Sequence, residues 1–273
     1  MPRVLTNLLA VTALLITPFL CGVSIAQSRP SDQLQVAPPQ MHRVESPPAD
    51  WPAERLERRG DELRVQKAYL DSLDYYSAAL EKRPKNAVLH NKIGITELQM
   101  QRFKNATDQF RHAIKSDKTY ADAYNNLGVI YYLQKKYGKA VKEYSKALAL
   151  RDDSASFHNN LGTAYFSKKD FQRAVLEYNR ALQLDPDIFE RTSQSGVAAQ
   201  MSSPEDRAHY NYVLAKMYAG LGVNDRCLQY LRKALEDGYK GIDSVYKDAE
   251  FASLRKDPRF KELMSVRPTS IPE

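Results

Sequence analysis

The chain has 273 residues, with 40 Lys and Arg against 33 Asp and Glu, a formal charge of +7, 43% hydrophobic residues and 10% aromatic. That is length for one or two domains with a sizeable core, and enough apolar content to exclude a wholly disordered chain. A mean hydropathy of −0.55 excludes a polytopic membrane protein, and two cysteines exclude a disulfide scaffold or a thiolate zinc cluster.

Residues 1–26 read as an export signal. Arg3 is followed by a nearly pure apolar run from Leu8 to Leu20, and Ser24-Ile25-Ala26 resembles a signal-peptidase site that cuts before Gln27. The alternative is a retained anchor, because Val4 to Ile25 is close to the length that spans a bilayer. A third option, lipidation of Cys21, is weakened by Leu20, which is larger than the residue such a site wants. All three readings export the chain. Arg3 is the only charge lost on cleavage, so the excess of basic residues remains and suits weak attraction to anionic surfaces, such as a phospholipid membrane or an acidic polymer. No nucleic acid is expected as a partner, since the only basic blocks are pairs such as Lys135-Lys136 and Lys168-Lys169. Six of the 14 prolines fall between residues 30 and 52, so 27–52 reads as a disordered, Pro-rich tether closed by Trp51.

From residue 53 the chain repeats every 34 residues. Gly60, Gly94, Gly128 and Gly162 are in phase, as are Tyr76, Phe110, Tyr144 and Tyr178, and Ala79, Ala113, Ala147 and Ala181. Four units result: 53–86, 87–120, 121–154 and 155–188. Each holds two amphipathic helices, judged by apolar spacing. A Gly inside a helix costs roughly 1 kcal/mol, so four at one phase imply close helix packing that offsets the cost. Residues 189–204 read as a loop, 205–237 as a fifth unit with Ala215 in the Gly place and Cys227 as a buried thiol, 238–264 as a helical cap and 265–273 as a tail.

The pattern of a large residue, then Leu-Gly, Tyr, Ala, an aromatic and Ala, seen as Tyr124, Leu127, Gly128, Tyr131, Ala140, Tyr144 and Ala147, resembles the tetratricopeptide repeat family. The resemblance is strongest over 121–188, and Phe251 to Phe260 is similar to C-terminal caps of exported bacterial repeat proteins. It implies an all-α, right-handed α-solenoid of helix-turn-helix units, closed by a cap that covers apolar surface.

The resemblance also implies where a partner would bind. In the family the first helices of successive units line a concave groove through positions 2, 5, 9 and 12. Those positions give Asn91, Asn125, Asn159 and Tyr212, then Ile95, Val129, Thr163 and Lys216, then Tyr132 and Phe166, with Asn126 and Asn160 beside two of the asparagines. Asn amides both donate to and accept from a peptide backbone. Groove exposure is expected for Asn91, Asn125 and Asn159, and Asn126 and Asn160 are open between groove and inter-helix roles. Glu57, Asp61 and Ser156 stand where the family's carboxylate clamp has basic residues, so a C-terminal carboxylate ligand is not expected.

The five histidines have no metal spacing, His90 and His158 share a packing phase, and no phosphate loop or nucleophile motif occurs. No metal, cofactor or catalytic residue is therefore expected. The expected function is a non-catalytic scaffold of the cell envelope that holds an extended segment of another protein. The alternative is a membrane-associated subunit of an envelope assembly, and an enzyme with a site in 189–264 is the weakest reading.

Overall fold

A computed structural model describes residues 45–192 and 203–266; the expected export signal, most of the tether and the last residues of the tail lie outside them. Among the described residues every regular element is helical. Helix α1 (Ala53–Val65) pairs with α2 (Tyr69–Lys82), α3 (Ala87–Gln99) with α4 (Phe103–Ser116), α5 (Ala121–Leu133) with α6 (Tyr137–Leu150), and α7 (Ala155–Ser167) with α8 (Phe171–Leu184). Each first helix has 13 residues and each second helix 14. Four antiparallel hairpins thus stack as an α-solenoid.

The glycine and aromatic columns meet face to face. A Cβ built on Gly60, Gly94, Gly128 or Gly162 would lie 2.5–2.7 Å from the ring of Tyr76, Phe110, Tyr144 or Tyr178. The aromatic ring itself, rather than the flanking alanines alone, therefore fills the space each glycine opens. The alanines at the other column, from Ala79 to Ala181, are fully buried beside it. Between hairpins, Tyr137, Val141 and Leu148 of α6 pack on Leu161, Ala164 and Tyr165 of α7.

The turn inside each hairpin follows one rule. The second residue after the first helix takes a left-handed backbone at Lys67, Gln101, Lys135 and Lys169, with φ of 57–64°. The next amide then bonds back across the helix end, as Ala68 N–H does to the Leu63 carbonyl at 2.9 Å. This closes the last turn of the helix.

Part of the expected disordered tether is ordered. Residues 45–52 lie along α2, where the Glu45 N–H donates to Asp71 Oδ1 (3.1 Å), Tyr75 OH to the Ser46 carbonyl (3.4 Å) and Lys82 Nζ to the Ala49 carbonyl (3.0 Å). The Arg55 guanidinium sits 3.7 Å over the Trp51 ring, which tilts against Tyr75. The first hairpin has no preceding repeat to cover it, and this strap does so.

The fifth hairpin also departs from expectation. Helix α9 (Ile188–Thr192) starts where the 34-residue spacing puts a fifth first helix, and Ile188 and Phe189 are buried. It is followed by α10 (Pro204–Gly220) and α11 (Asn224–Glu236), which pair around buried Ala215, Tyr218, Cys227, Leu231 and Ala234. Their turn has a left-handed Gly222 at φ 72°. This pairing matches the expected fifth unit, but its direction does not match the array. The start of α10 lies at the α7–α8 turn, with Asp206 paired to Lys169 and His209 packed on Phe171. The start of α11 lies at the end of α8, where Arg226 meets Asp187 and the Pro186 carbonyl. Helix α10 therefore runs parallel to α8, whereas the first helix of a regular next repeat would run antiparallel to it. The packing columns of this unit begin at Ala208 rather than at residue 189, about half a repeat late, and a half-repeat slip reverses the hairpin.

The cap consists of three 3₁₀ turns, Ile242–Tyr246, Ala249–Phe251 and Leu254–Lys256, and helix α12 (Pro258–Val266). Val245, Phe251 and Leu254 are fully buried. The cap closes on α10, with Tyr212 OH donating to Asp248 Oδ2 (2.7 Å) and Lys216 Nζ 3.0 Å from the same oxygen.

Candidate functional site

The concave face is built by α1, α3, α5 and α7, and the structure redistributes the residues expected there. Asn91, Asn125 and Asn159 are buried, with 5%, 8% and 1% of their surface exposed. They do not face the groove. Asn126 Nδ2 donates to Asn91 Oδ1 (2.9 Å), and Asn160 Nδ2 donates to Asn125 Oδ1 (3.0 Å). Asn91 and Asn125 are thus each braced by an asparagine one repeat further on. A buried amide needs such a partner, and the partner here is an inter-repeat bond. Asn126 and Asn160 are half-buried and form the outer rail of this ladder.

The aromatic residues expected at the groove are inside as well. Tyr132 is buried and shares a hydrogen bond with Ser167 Oγ (3.0 Å), and Phe166 packs edge-on to Phe171, His209 and Tyr210. Burial pushes the Tyr132 phenol up to about 12, so it stays neutral. Thr163 is fully buried, bonding the Asn159 carbonyl through Oγ1 (2.8 Å). Tyr212 is buried under the cap, and Lys216 is held by Asp248 and Glu250. The reversal of the fifth hairpin takes both away from the concave row. Of the expected groove residues, Ile95 and Val129 are only partly buried at one position of successive repeats, as are Asn126 and Asn160. Val88, with 39% of its surface exposed, joins them at the start of α3.

The charges of the concave face neutralise one another. Lys92 Nζ lies 2.7 Å from both Glu57 Oε1 and Asp61 Oδ2, and Arg83 reaches Glu57 at 2.7 Å. Arg151 reaches Asp122 at 2.8 Å. No cation is presented to a carboxylate ligand by these pairs, and the middle of the face is aliphatic and amide in character.

His90 and His158 act as struts between paired helices. His158 Nδ1 is 2.6 Å from Glu177 Oε2 and its Nε2 is 3.0 Å from the Asp152 carbonyl, tying α7 to α8 and to the preceding turn. His90 Nδ1 meets Gln109 Oε1 at 2.8 Å, and its ring stacks on His112. Cys227 is fully buried, and burial pushes its thiol up to about 12, away from reactivity. Among the described residues no cluster of three or more His, Cys, Asp or Glu could hold a metal ion. A feature the sequence reading missed is a cleft of about 1190 Å³ between α8 and α10, lined by Val175, Leu176, Val213, Met217 and Leu221. Its signal was Leu176 on the outer face of α8, a position at which the earlier units carry Asp or Lys.

This geometry is that of a helical-repeat solenoid. Three family models agree with it: a TPR repeat model over residues 129–169, and tetratricopeptide repeat models over 110–142 and 155–188. Residues 110–188 thus match tetratricopeptide repeat models. No curated relative matches the chain. Similar solved structures include a thermophilic TPR protein of Thermus thermophilus (20% identity, 73% of this chain and 98% of that one, TM-score 0.48) and MamA (22% identity, 65% and 93%, TM-score 0.46). The first TPR of Spaghetti (RPAP3), bound to an HSP90 peptide, matches at 22% identity over 43% of this chain and 93% of that one, with a TM-score of 0.41.

Proposed function

We propose that the array is a non-catalytic scaffold whose concave face holds an extended segment of another protein. The observation that carries this is the row formed by Ile95 and Val129, partly buried at the same position of neighbouring repeats with an edge left to solvent, and flanked by Asn126 and Asn160. First helices that pack against one another lie about 8–10 Å apart. A polyproline-II segment rises about 3.1 Å per residue with three residues per turn, so residues three apart recur on one side at nearly that spacing. The groove therefore suits an uncharged, extended segment with aliphatic residues three apart, its backbone within reach of the asparagine rail. With its charges already paired, the face selects against a ligand that binds through a terminal carboxylate. In the same reading residues 1–26 export the chain, and this scaffold works in the cell envelope; the N-terminus of the mature protein, read by mass spectrometry, tests that part, with Gln27 expected.

The groove is tested with full chain and an immobilised library of extended peptides carrying aliphatic residues three apart. Ile95→Lys with Val129→Lys weakens capture at least about tenfold, because each lost aliphatic contact and each desolvated lysine costs about 1 kcal/mol or more; both residues also touch the core, so capture is read at a temperature where circular dichroism shows the variant folded. Capture that is unchanged in the double variant removes this reading.

A further inference from the structure

The two long edges of the solenoid differ in charge. One edge carries the turns inside the hairpins. On it lie Lys67, Lys135, Lys136 and Lys168, with Lys104 and Lys139 at the start of the following helices, and all six are exposed. None of them makes an ion pair with a described residue. Lys136 meets only the amide oxygen of Gln134, and Lys139 only the Tyr131 ring. Arg102 and Lys169 share this edge and are paired with Glu97 and Asp206, while the edge's own Asp170 is taken by Arg173. The opposite edge carries the turns between hairpins, and there the signs alternate: Asp117, Asp152, Asp153, Asp185 and Asp187 stand among Arg83, Lys85, Lys118 and Arg151.

The lysine edge is not a by-product of the fold. The left-handed turn residue disfavours any side chain by about 1–2 kcal/mol, and glycine would relieve it. Three of the four such positions nevertheless hold lysine. A lysine near a helix C-terminus gains about 0.3–1 kcal/mol from the helix dipole, which accounts for one cation per turn. It does not account for the second one at Lys136 or at Lys168. Neighbouring repeats place these cations in a line about 8–10 Å apart, with no acidic side chain free between them.

We propose that this edge docks the array on the anionic lipid headgroups of a bilayer. The proposal rests on the export reading of the N-terminus, which delivers the array to the cell envelope, where membranes lie close by. Basic residues near an anionic leaflet each add to binding, and the contribution fades within a Debye length. A row along one edge presents several of them to the same anionic surface.

The test uses the full chain with large vesicles of phosphatidylcholine, with and without about 30% phosphatidylglycerol, at low and high salt. One variant combines Lys67→Gln, Lys135→Gln, Lys136→Gln and Lys168→Gln. Gln101 already occupies the equivalent turn position, so the fold tolerates glutamine there. The control combines Lys85→Gln, Lys115→Gln and Lys118→Gln outside the lysine edge. The extra partition onto anionic vesicles should fall at least about tenfold in the first variant, less than about twofold in the control, and should shrink with salt. Equal binding to neutral and anionic vesicles overturns the proposal, as does an equal loss in both variants, which would mean net charge alone. Binding of soluble polyphosphate without any vesicle preference also overturns it. The Ile95→Lys and Val129→Lys variant should bind vesicles at least as well as the parent, which separates failure of the edge from failure of the groove.

Discussion

The contact between glycine and aromatic columns makes a prediction whose sign runs against helix propensity. In Gly128→Ala the new methyl would lie 2.6 Å from both Cδ1 and Cε1 of Tyr144. Ordinary carbon contacts need about 3.5–4.0 Å, so the ring must retreat by about 1 Å. Tyr144 has no exposed surface and is enclosed by Ala140, Leu161 and Ala164, so it has no free space to enter. Overpacking of this kind costs about 1–3 kcal/mol. The propensity gain of Ala over Gly returns roughly 1 kcal/mol. With two ring carbons in conflict the cost falls in the upper part of its range, and the net loss is about 1–2 kcal/mol, or about 2–8 °C in Tm for a domain of this size. Gly138 is the control, since a Cβ there meets nothing within 4 Å. Gly138→Ala should stabilise by up to about 0.5–1 kcal/mol. Urea titrations followed by far-ultraviolet circular dichroism measure both. In a Tyr144→Leu background the Gly128→Ala loss should shrink or reverse, because the clash is gone. A Gly128→Ala protein as stable as the parent would refute the account of why glycine recurs at this phase.

Other consequences are more local. Gln101→Gly should stabilise by about 0.5–1 kcal/mol, because Gln101 sits at φ 59° where glycine is unstrained; an unchanged urea midpoint counts against it. Asn126→Ala removes the donor to Asn91 Oδ1 and should cost about 1–2 kcal/mol, with faster hydrogen exchange in α3 and α5 as the local signature. Acid should loosen the C-terminal cap. Burial raises the Asp248 carboxyl, but its hydrogen bonds from Tyr212 and Lys216 and the nearby cations outweigh that and hold it below the usual aspartate range. A lowered native pKa means that this stability is present in full above the unfolded value, near 3.9, and is lost as pH falls through the native one. Hydrogen exchange in 242–256 should therefore rise below about pH 4 ahead of exchange in the first four hairpins, and Asp248→Asn should remove the difference.

The repeat was legible because its packing rule is written in small and aromatic residues at fixed phase. Gly60 to Gly162 and Tyr76 to Tyr178 name both sides of each contact, so periodicity alone pairs the helices. The groove was less legible because adjacent residues on a helix point about 100° apart. Asn125 is the expected groove residue and Asn126 the open one, yet Asn125 is buried between repeats and Asn126 stands at the rim. Tyr132 and Phe166 were ambiguous for a related reason: an aromatic at the end of a first helix serves equally as a groove contact or as a wedge against the next hairpin, and here Ser167, Phe171 and Tyr210 complete the wedge. The strap at residues 45–52 carries no period at all. Its order comes from Trp51, Arg55 and carbonyl groups of a Pro-rich stretch meeting the uncovered side of α2.

On the proposed groove reading, the half-repeat slip after α8 also limits how long a bound segment would be. A fifth hairpin in the same direction would have extended the concave row, and Tyr212 and Lys216 would have been its next members. Reversed, the hairpin turns those residues toward the cap, where Asp248 and Glu250 engage them. Helix α10 is buried along most of its length, with Tyr210, Leu214, Ala215 and Tyr218 all inside. A helix enclosed in this way cannot offer a groove, so the concave face stops at α7. Four first helices about 8–10 Å apart give a row of about 24–30 Å, which an extended polyproline-II segment covers in about eight to ten residues. At the other end the charges of α1 are drawn into the Glu57, Asp61, Lys92 and Arg83 network. The uncharged stretch over α3, α5 and α7 is shorter still, near six residues of ligand by the same spacing, so affinity should saturate once a peptide carries two aliphatic residues three apart, and lengthening it should add little.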